Sequence, residues 1–262
     1  MIAKFSEAMG LLGRHLGLFT AIILTVWLPG NVLVNYVAYN MAEGSEVGIV
    51  RLSMWIEGIF GPIYIGALVY ALFEIKSGRS VAYKEAMAVG FKKWGSLFAA
   101  RFAAGLLMAL GLVAFVIPGV MVAVRYALVD AAVIVEGKGA SASLSRSVQL
   151  TAGRRWQIFG AAVSFFLPLM ALSVGLYLPL AFVESLDIAP VAVVLDCVLD
   201  VVYAVIQIVM FLFYWEATAD QRRSEQSDSP PDESGEPFQN LPISEGAALP
   251  GENDNPYRSP VS

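Results

Sequence analysis

The sequence has one cysteine, Cys197, and one histidine, His15. A disulfide within the chain is thereby excluded, and a Cys/His metal site has too few ligands. A Ser–His or Cys–His nucleophilic pair would have to use His15, which sits beside Arg14 ahead of the first apolar run. No catalytic, metal-binding or cofactor-binding set assembles, and no enzyme activity, cofactor or nucleic-acid partner is expected. Charge is scarce as well. Only 15% of residues are charged, where soluble domains usually carry about 25%.

What is abundant is apolar sequence in long runs. Hydrophobic residues make up 57% of the chain, and the mean hydropathy is +0.66. A helix needs about 20 largely apolar residues to cross the hydrocarbon. Six segments qualify, at roughly 16–38, 55–76, 95–117, 119–136, 156–183 and 188–215. The fourth is short and the fifth long, and Pro29, Pro62, Pro118, Pro168 and Pro179 fall within or beside spans, so tilt or kinking is expected. The first run exceeds a usual signal-peptide core, and its basic flank is weak, so it reads as an uncleaved span.

Basic residues set the orientation. Lys4 and Arg14 precede span one, and Lys76, Arg79, Lys84, Lys92 and Lys93 separate spans two and three. Lys138, Arg146, Arg154 and Arg155 separate spans four and five, and Arg222 and Arg223 follow span six. The alternate loops hold only Arg51, with Glu43, Glu46, Glu184 and Asp187. Loops rich in Lys and Arg are cytoplasmic, so both termini are placed in the cytoplasm. Trp94, Trp156 and Trp215 are expected at the inner ends of three spans, and Tyr36, Tyr39 and Trp55 near outer ends.

The spans group into three related units, about 1–76, 77–136 and 137–216. Glu7-Ala8-Met9 aligns without gaps to Glu85-Ala86-Met87, so that Arg14-His15 matches Lys92-Lys93, and Arg154-Arg155-Trp156 matches Lys92-Lys93-Trp94. Ahead of each pair lies an amphipathic stripe: Phe5, Met9, Leu12 and Leu16; Met87, Phe91 and Trp94; Leu144, Val148 and Ala152. These fit helices lying in the inner interface with their apolar side toward the acyl chains; the alternative is that they extend the spans inward. The fold class is therefore all-α, a polytopic bundle of about six transmembrane helices in three hairpin repeats with interfacial helices.

At residues 118–156 the sequence resembles a known family. Pro118-Gly119, Arg125, Glu136-Gly137, then Leu144-x-x-Ser147-x-x-Leu150-x-x-Gly153-Arg154-x-Trp156 is similar to the signature of YciC-like membrane proteins. These are akin to the membrane domain attached to some glycerophosphoryl diester phosphodiesterases. Ser143 stands where that family often has Ala. The resemblance implies a bacterial inner-membrane protein and supplies no catalytic residues. It implies no phosphodiesterase activity, because a TIM barrel of about 250 residues has no room here.

Ionisable residues at mid-membrane cost about 2.5–3.5 kcal/mol each, which makes them functional candidates. Arg101 in span three, Arg125 and Asp130 in span four, and Asp196 and Asp200 in span six form the candidate polar cluster. Asp196 and Asp200, four apart, share a helix face; Arg125 and Asp130, five apart, are not expected to pair. The cluster reads either as a proton or cation site or as interhelical pairs that fix packing. Asp196-x-x-x-Asp200 also matches the end of a CDP-alcohol phosphotransferase motif, whose opening Asp-Gly-x-x-Ala-Arg half is absent. Asn31 and Asn35 are expected to bond a neighbouring helix, and Ala99, Ala103, Ala104, Gly105, Ala161 and Ala162 to allow close helix approach.

The net charge of −5 comes from one end. Residues 217–262 hold nine acids against Arg222, Arg223 and Arg258, together with seven of the thirteen prolines. Such a segment is expected to be a disordered cytoplasmic tail. Its Asn255-Pro256-Tyr257-Arg258-Ser259-Pro260 end is either a solubilising terminus or a docking peptide for a protein partner. Membrane lipids are the other expected partner. Three functions follow in order: non-enzymatic scaffolding or envelope maintenance; a small transporter or channel using Asp130, Asp196 and Asp200; and a lipid enzyme. The last would require a headgroup-sized pocket lined by Glu74, Glu136 or Lys92.

Overall fold

The computed structural model describes residues 2–40, 46–183 and 188–228. Glu43, Glu184, Asp187 and the terminal Asn255–Pro260 motif lie outside them. The described residues form nine helices: α1 (Ile2–Arg14), α2 (Leu16–Asn40), α3 (Glu46–Lys76), α4 (Tyr83–Ala114), α5 (Val116–Tyr126), α6 (Val129–Val135), α7 (Ala140–Thr151), α8 (Arg155–Phe182) and α9 (Ala189–Asp228). Helices α2, α3, α4, α8 and α9, with α5 and α6 taken together, give six that are long and apolar enough to cross a membrane. The all-helical expectation and the number of spans agree with this architecture.

Local sequence explains where helices stop. Gly153 ends α7 with φ +77°, a left-handed conformation that costs glycine nothing and other residues about 1–2 kcal/mol. In the repeat alignment Phe91 occupies the corresponding position. A phenylalanine resists that conformation, and α4 runs unbroken from Tyr83 to Ala114. The second amphipathic segment is thus an extension of its span and not a separate interfacial helix.

Helix α7 corrects the third segment differently. It packs on α4, α5, α6 and α9, and its buried face is Ser143, Ser147, Leu150 and Thr151. The Leu144/Val148/Ala152 stripe does not carry the burial. Both stripes have helical spacing, so periodicity could not choose between them. The small polar stripe wins because it satisfies the backbone of span four. That span breaks between α5 and α6 at Ala127–Leu128, where the Leu128 N–H donates to Ser147 Oγ at 3.2 Å. Ser147 Oγ donates onward to the Arg125 carbonyl at 2.8 Å, and Thr151 Oγ1 reaches the same carbonyl at 3.4 Å. Freed backbone groups in an apolar setting need such partners.

Close approach of helices falls only partly where expected: Ala161 is buried. Gly105 has open space where a Cβ would be, whereas a Cβ on Gly90 would lie 2.4 Å from the Ile63 carbonyl. Gly66 would place one 2.8 Å from Leu97 Cδ1. The α3–α4 crossing therefore rests on Gly66 and Gly90. At the far end Gly111 and Gly119 close a hairpin between α4 and α5, whose only connecting residue is the extended Phe115.

Helix α9 continues to Asp228, so the boundary drawn at 216/217 is too early. Near the start of this extension Ala217 and Thr218 are buried, Arg154 pairs with Glu216 and Asp220, and Lys4 pairs with Glu216. The expected disorder of 229–262 falls outside the described residues.

Candidate functional site

The five ionisable residues singled out within the spans do not form one cluster. They divide into an ion pair, a carboxylate–carboxamide ladder and an isolated arginine. Arg101 on α4 donates from Nη1 to Asp130 Oδ2 on α6 at 2.8 Å. Asp130 is nearly buried, and this pair ties span three to the second half of span four. Its other oxygen, Oδ1, is buried without a hydrogen-bond partner. Tyr64 of α3 lies within Coulombic reach of both charges.

The ladder joins α2 to α9. Asn31 Nδ2 donates to Asp200 Oδ2 at 2.8 Å, and Asn35 Nδ2 donates to Asp196 Oδ2 at 2.7 Å. Each helix contributes two residues four apart, so one turn of α2 is matched to one turn of α9 in antiparallel register. Asn35 Nδ2 also returns to the Asn31 carbonyl at 2.9 Å. Tyr177 of α8 donates its hydroxyl to Asp196 Oδ1, and Asn31 Nδ2 lies 3.7 Å from Cys197 Sγ. The expected pairing of Asn31 and Asn35 with a neighbouring helix is present, and its partners are the two aspartates. Among the described residues neither Asp196 nor Asp200 makes an ion pair. Two carboxylates thus share one helix face with neutral donors only.

Arg125 stands apart, its Nε buried without a hydrogen-bond partner among the described residues. Arg125 and Asp130 do not pair, as their spacing implied. Two participants escaped the sequence reading. Tyr177 gave no signal beyond being a tyrosine in an apolar run. Glu57 was legible: it is an acid inside span two, and it lies within Coulombic reach of Arg101 and Asp200.

A second polar region gathers at the end of the bundle where α1, α7 and the end of α9 meet. Glu74 is buried and takes two hydrogen bonds from Arg79, at 2.6 and 2.9 Å. Lys76 pairs with Glu7 at 2.6 Å, and Tyr70 donates to Glu85 at 2.6 Å. Glu136 accepts from Arg146 Nε at 2.8 Å and from Tyr214 at 3.1 Å, and it pairs with Lys138. Burial alone would push the Glu136 carboxyl up; the hydrogen bonds from Lys138 and Arg146 outweigh it and hold it below its ordinary value. Burial, and then the neighbouring Arg154, hold the Lys4 ammonium below its usual range against the pull of Glu7 and Asp220.

The tryptophans do not share one level. Trp215 packs on Phe73 and beneath Lys76 at the charged end. Trp94 instead donates to the carbonyl of Ile59. Fourteen residues of α3 separate Ile59 from Phe73, about 21 Å at 1.5 Å per residue. Trp94 therefore does not lie at the level of Trp215.

The model of a family described as a domain of unknown function, DUF7847, matches residues 64–221. The match takes in the 118–156 signature and begins inside α3, leaving out α1 and α2. No curated protein and no solved structure matches the chain. With more than half of its length inside the match, the chain belongs to the DUF7847 family, and six of its helices are long and apolar enough to cross a membrane.

Proposed function

We propose that this is a non-enzymatic, multi-pass protein of the bacterial inner membrane with a scaffolding or envelope-maintenance role. The carrying observation is the use made of its intramembrane polar groups. Asp130 joins two spans through Arg101, and Asp196 and Asp200 join two others through Asn35 and Asn31. Polar side chains of this kind hold helices together where lipid removes the hydrophobic drive for association. Both termini are assigned to the cytoplasm. The support is that the basic residues of α1, of the α3–α4 connection and of the α6–α8 segment gather with the end of α9. The resemblance to YciC-like membrane proteins supplies the bacterial inner membrane and the envelope setting.

One observation favours a second reading, transport of protons or small cations: Asp196 and Asp200 have no cationic partner among the described residues. Proteoliposomes holding a pH-sensitive dye separate the two. Scaffolding predicts proton and sodium fluxes no greater than in protein-free vesicles, for the wild type and for Asp196→Asn/Asp200→Asn alike. Gradient-driven flux that this double variant abolishes while remaining folded would establish transport instead. Reporter fusions at the C-terminus test orientation, since an active periplasmic reporter there is incompatible with the assignment.

A further inference from the structure

A cleft of about 370 Å³ opens at the charged end between the ends of α3 and α6, helix α7 and the last turns of α9. Phe73 and Val135 form apolar parts of its wall, and four charged side chains line it: Glu136, Arg146, Arg222 and Glu225. This is the headgroup-sized pocket that a lipid-directed site would need, and of Glu74, Glu136 and Lys92 it uses Glu136.

The charges are not equivalent. Glu136 and Arg146 are fixed on each other, and Arg146 Nη1 donates to Gln221 Oε1 at 2.8 Å. Gln221 Nε2 donates to Glu225 Oε1 at 3.2 Å. Arg222 is half-buried and makes no hydrogen bond or ion pair among the described residues. A partly desolvated guanidinium is stabilised by an anion that can accept its planar fork of donors, and phosphate is well matched to it. A purely anionic ligand would also meet Glu136 and Glu225, and a purely cationic one Arg146 and Arg222. A ligand carrying phosphate and ammonium close together meets both pairs favourably.

We propose that this cleft binds a zwitterionic phosphate ester of the phosphoethanolamine type, the phosphate on Arg222 and Arg146 and the ammonium toward Glu225. The apolar wall of Phe73 and Val135, continuous with spans two and four, favours the lipid form of that headgroup over the free ester. Glu136 serves as a positioning residue: held ionised by its donors, it keeps Arg146 on the cleft.

The test uses the delipidated full-length protein in detergent, with native mass spectrometry reading bound phosphatidylethanolamine, phosphatidylglycerol and free O-phosphoethanolamine. The expected order is phosphatidylethanolamine first. Arg222→Gln and Glu225→Gln are each expected to weaken it about tenfold, the loss of one charge-assisted contact. Arg222 makes no hydrogen bond or ion pair among the described residues, so Arg222→Gln should keep the wild-type melting temperature, which separates a binding defect from misfolding. Free ester binding as well as the lipid would assign the same chemistry to a soluble ligand and overturn the lipid source. Phosphatidylglycerol binding best, and surviving Glu225→Gln, would make this a plain anion site and overturn the zwitterion. Binding only after Asp232, Glu233 and Glu236 are neutralised would make the chain's own acids the partner of Arg222, which also overturns the proposal.

Discussion

The two ends of the bundle are built on different principles. Toward the charged end, residues within Ile63–Leu72 of α3, Ala86–Ala100 of α4, Val129–Ile134 of α6 and Ala204–Ala217 of α9 supply most of the buried core. Toward the other end, α4 beyond Phe102, α5 up to Met121 and most of α8 expose their apolar side chains, Val113, Phe115 and Ile117 most of all. Composition does not distinguish them, since both are apolar. The difference lies in what holds helices together once water is absent. The packed half has the Gly66/Gly90 crossing, the Ser147 bridge and a set of ion pairs; the open half has the Gly111/Gly119 hairpin and the Asn–Asp ladder. Apolar length puts a helix in lipid, and specific small or polar contacts pair it with a neighbour.

Removing one partner of the Arg101–Asp130 pair should have the largest effect. Asp130→Asn leaves a guanidinium in the apolar region, at a cost of about 2.5–3.5 kcal/mol, read as a lower unfolding midpoint of the purified protein. Replacing both residues by leucine should restore much of that loss. If the double variant is no more stable than the single ones, the pair is not acting as a unit.

Ser147→Ala comes next. It strips the Leu128 N–H and the Arg125 carbonyl of a shared partner and should cost about 1–3 kcal/mol, with faster amide exchange at Leu128 as the local signature. Threonine should restore part of the bridge, which a simple packing defect would not allow.

The ladder of the open half should be worth less. Asn31→Leu should cost about 0.6 kcal/mol, the average for interhelical hydrogen bonds in a bilayer. An effect as large as that of Asp130→Asn would remove the contrast between the two halves. At the bottom of the scale, Val113→Ala should stay within about 0.5 kcal/mol of the wild type.

The charged end should also respond to pH, and the sign is fixed. The Glu136 carboxyl is held below its ordinary value of 4.5. Its contribution is therefore complete above that value and disappears as pH falls through the lower folded one. Melting curves of the wild type and Glu136→Gln should differ at about pH 7 and draw together only as pH falls below the ordinary carboxylate value, through the lowered folded one. A gap that stays constant across that range would mean the carboxylate form is not what stabilises this end.

Much of this was legible in the chain. Run length gave the number of spans and placed the first, fourth and fifth to within a few residues, while the second, third and sixth helices run 8–12 residues longer at one end; four-residue spacing placed Asn31 with Asn35 and Asp196 with Asp200 on shared faces. The pairing of those two faces was not legible, because periodicity says which residues of one helix point together and nothing about which helix they meet. The same limit misassigned α7, where two stripes of equal spacing competed. The broken span beside it, with backbone groups in need of partners, is met by Ser147 and Thr151.

The sequence by itself determined that apolar helices of spanning length dominate the chain, where the basic residues fall along it, and that a single cysteine allows no disulfide within it. Tertiary structure decided how the polar residues divide: Asp130 to Arg101, the two aspartates of α9 to the two asparagines of α2, and Arg222 to an open cleft. The physical reason is range. Burial preference and helical period are properties of neighbours along the chain, whereas the partner of a buried charge is set by how separate helices cross.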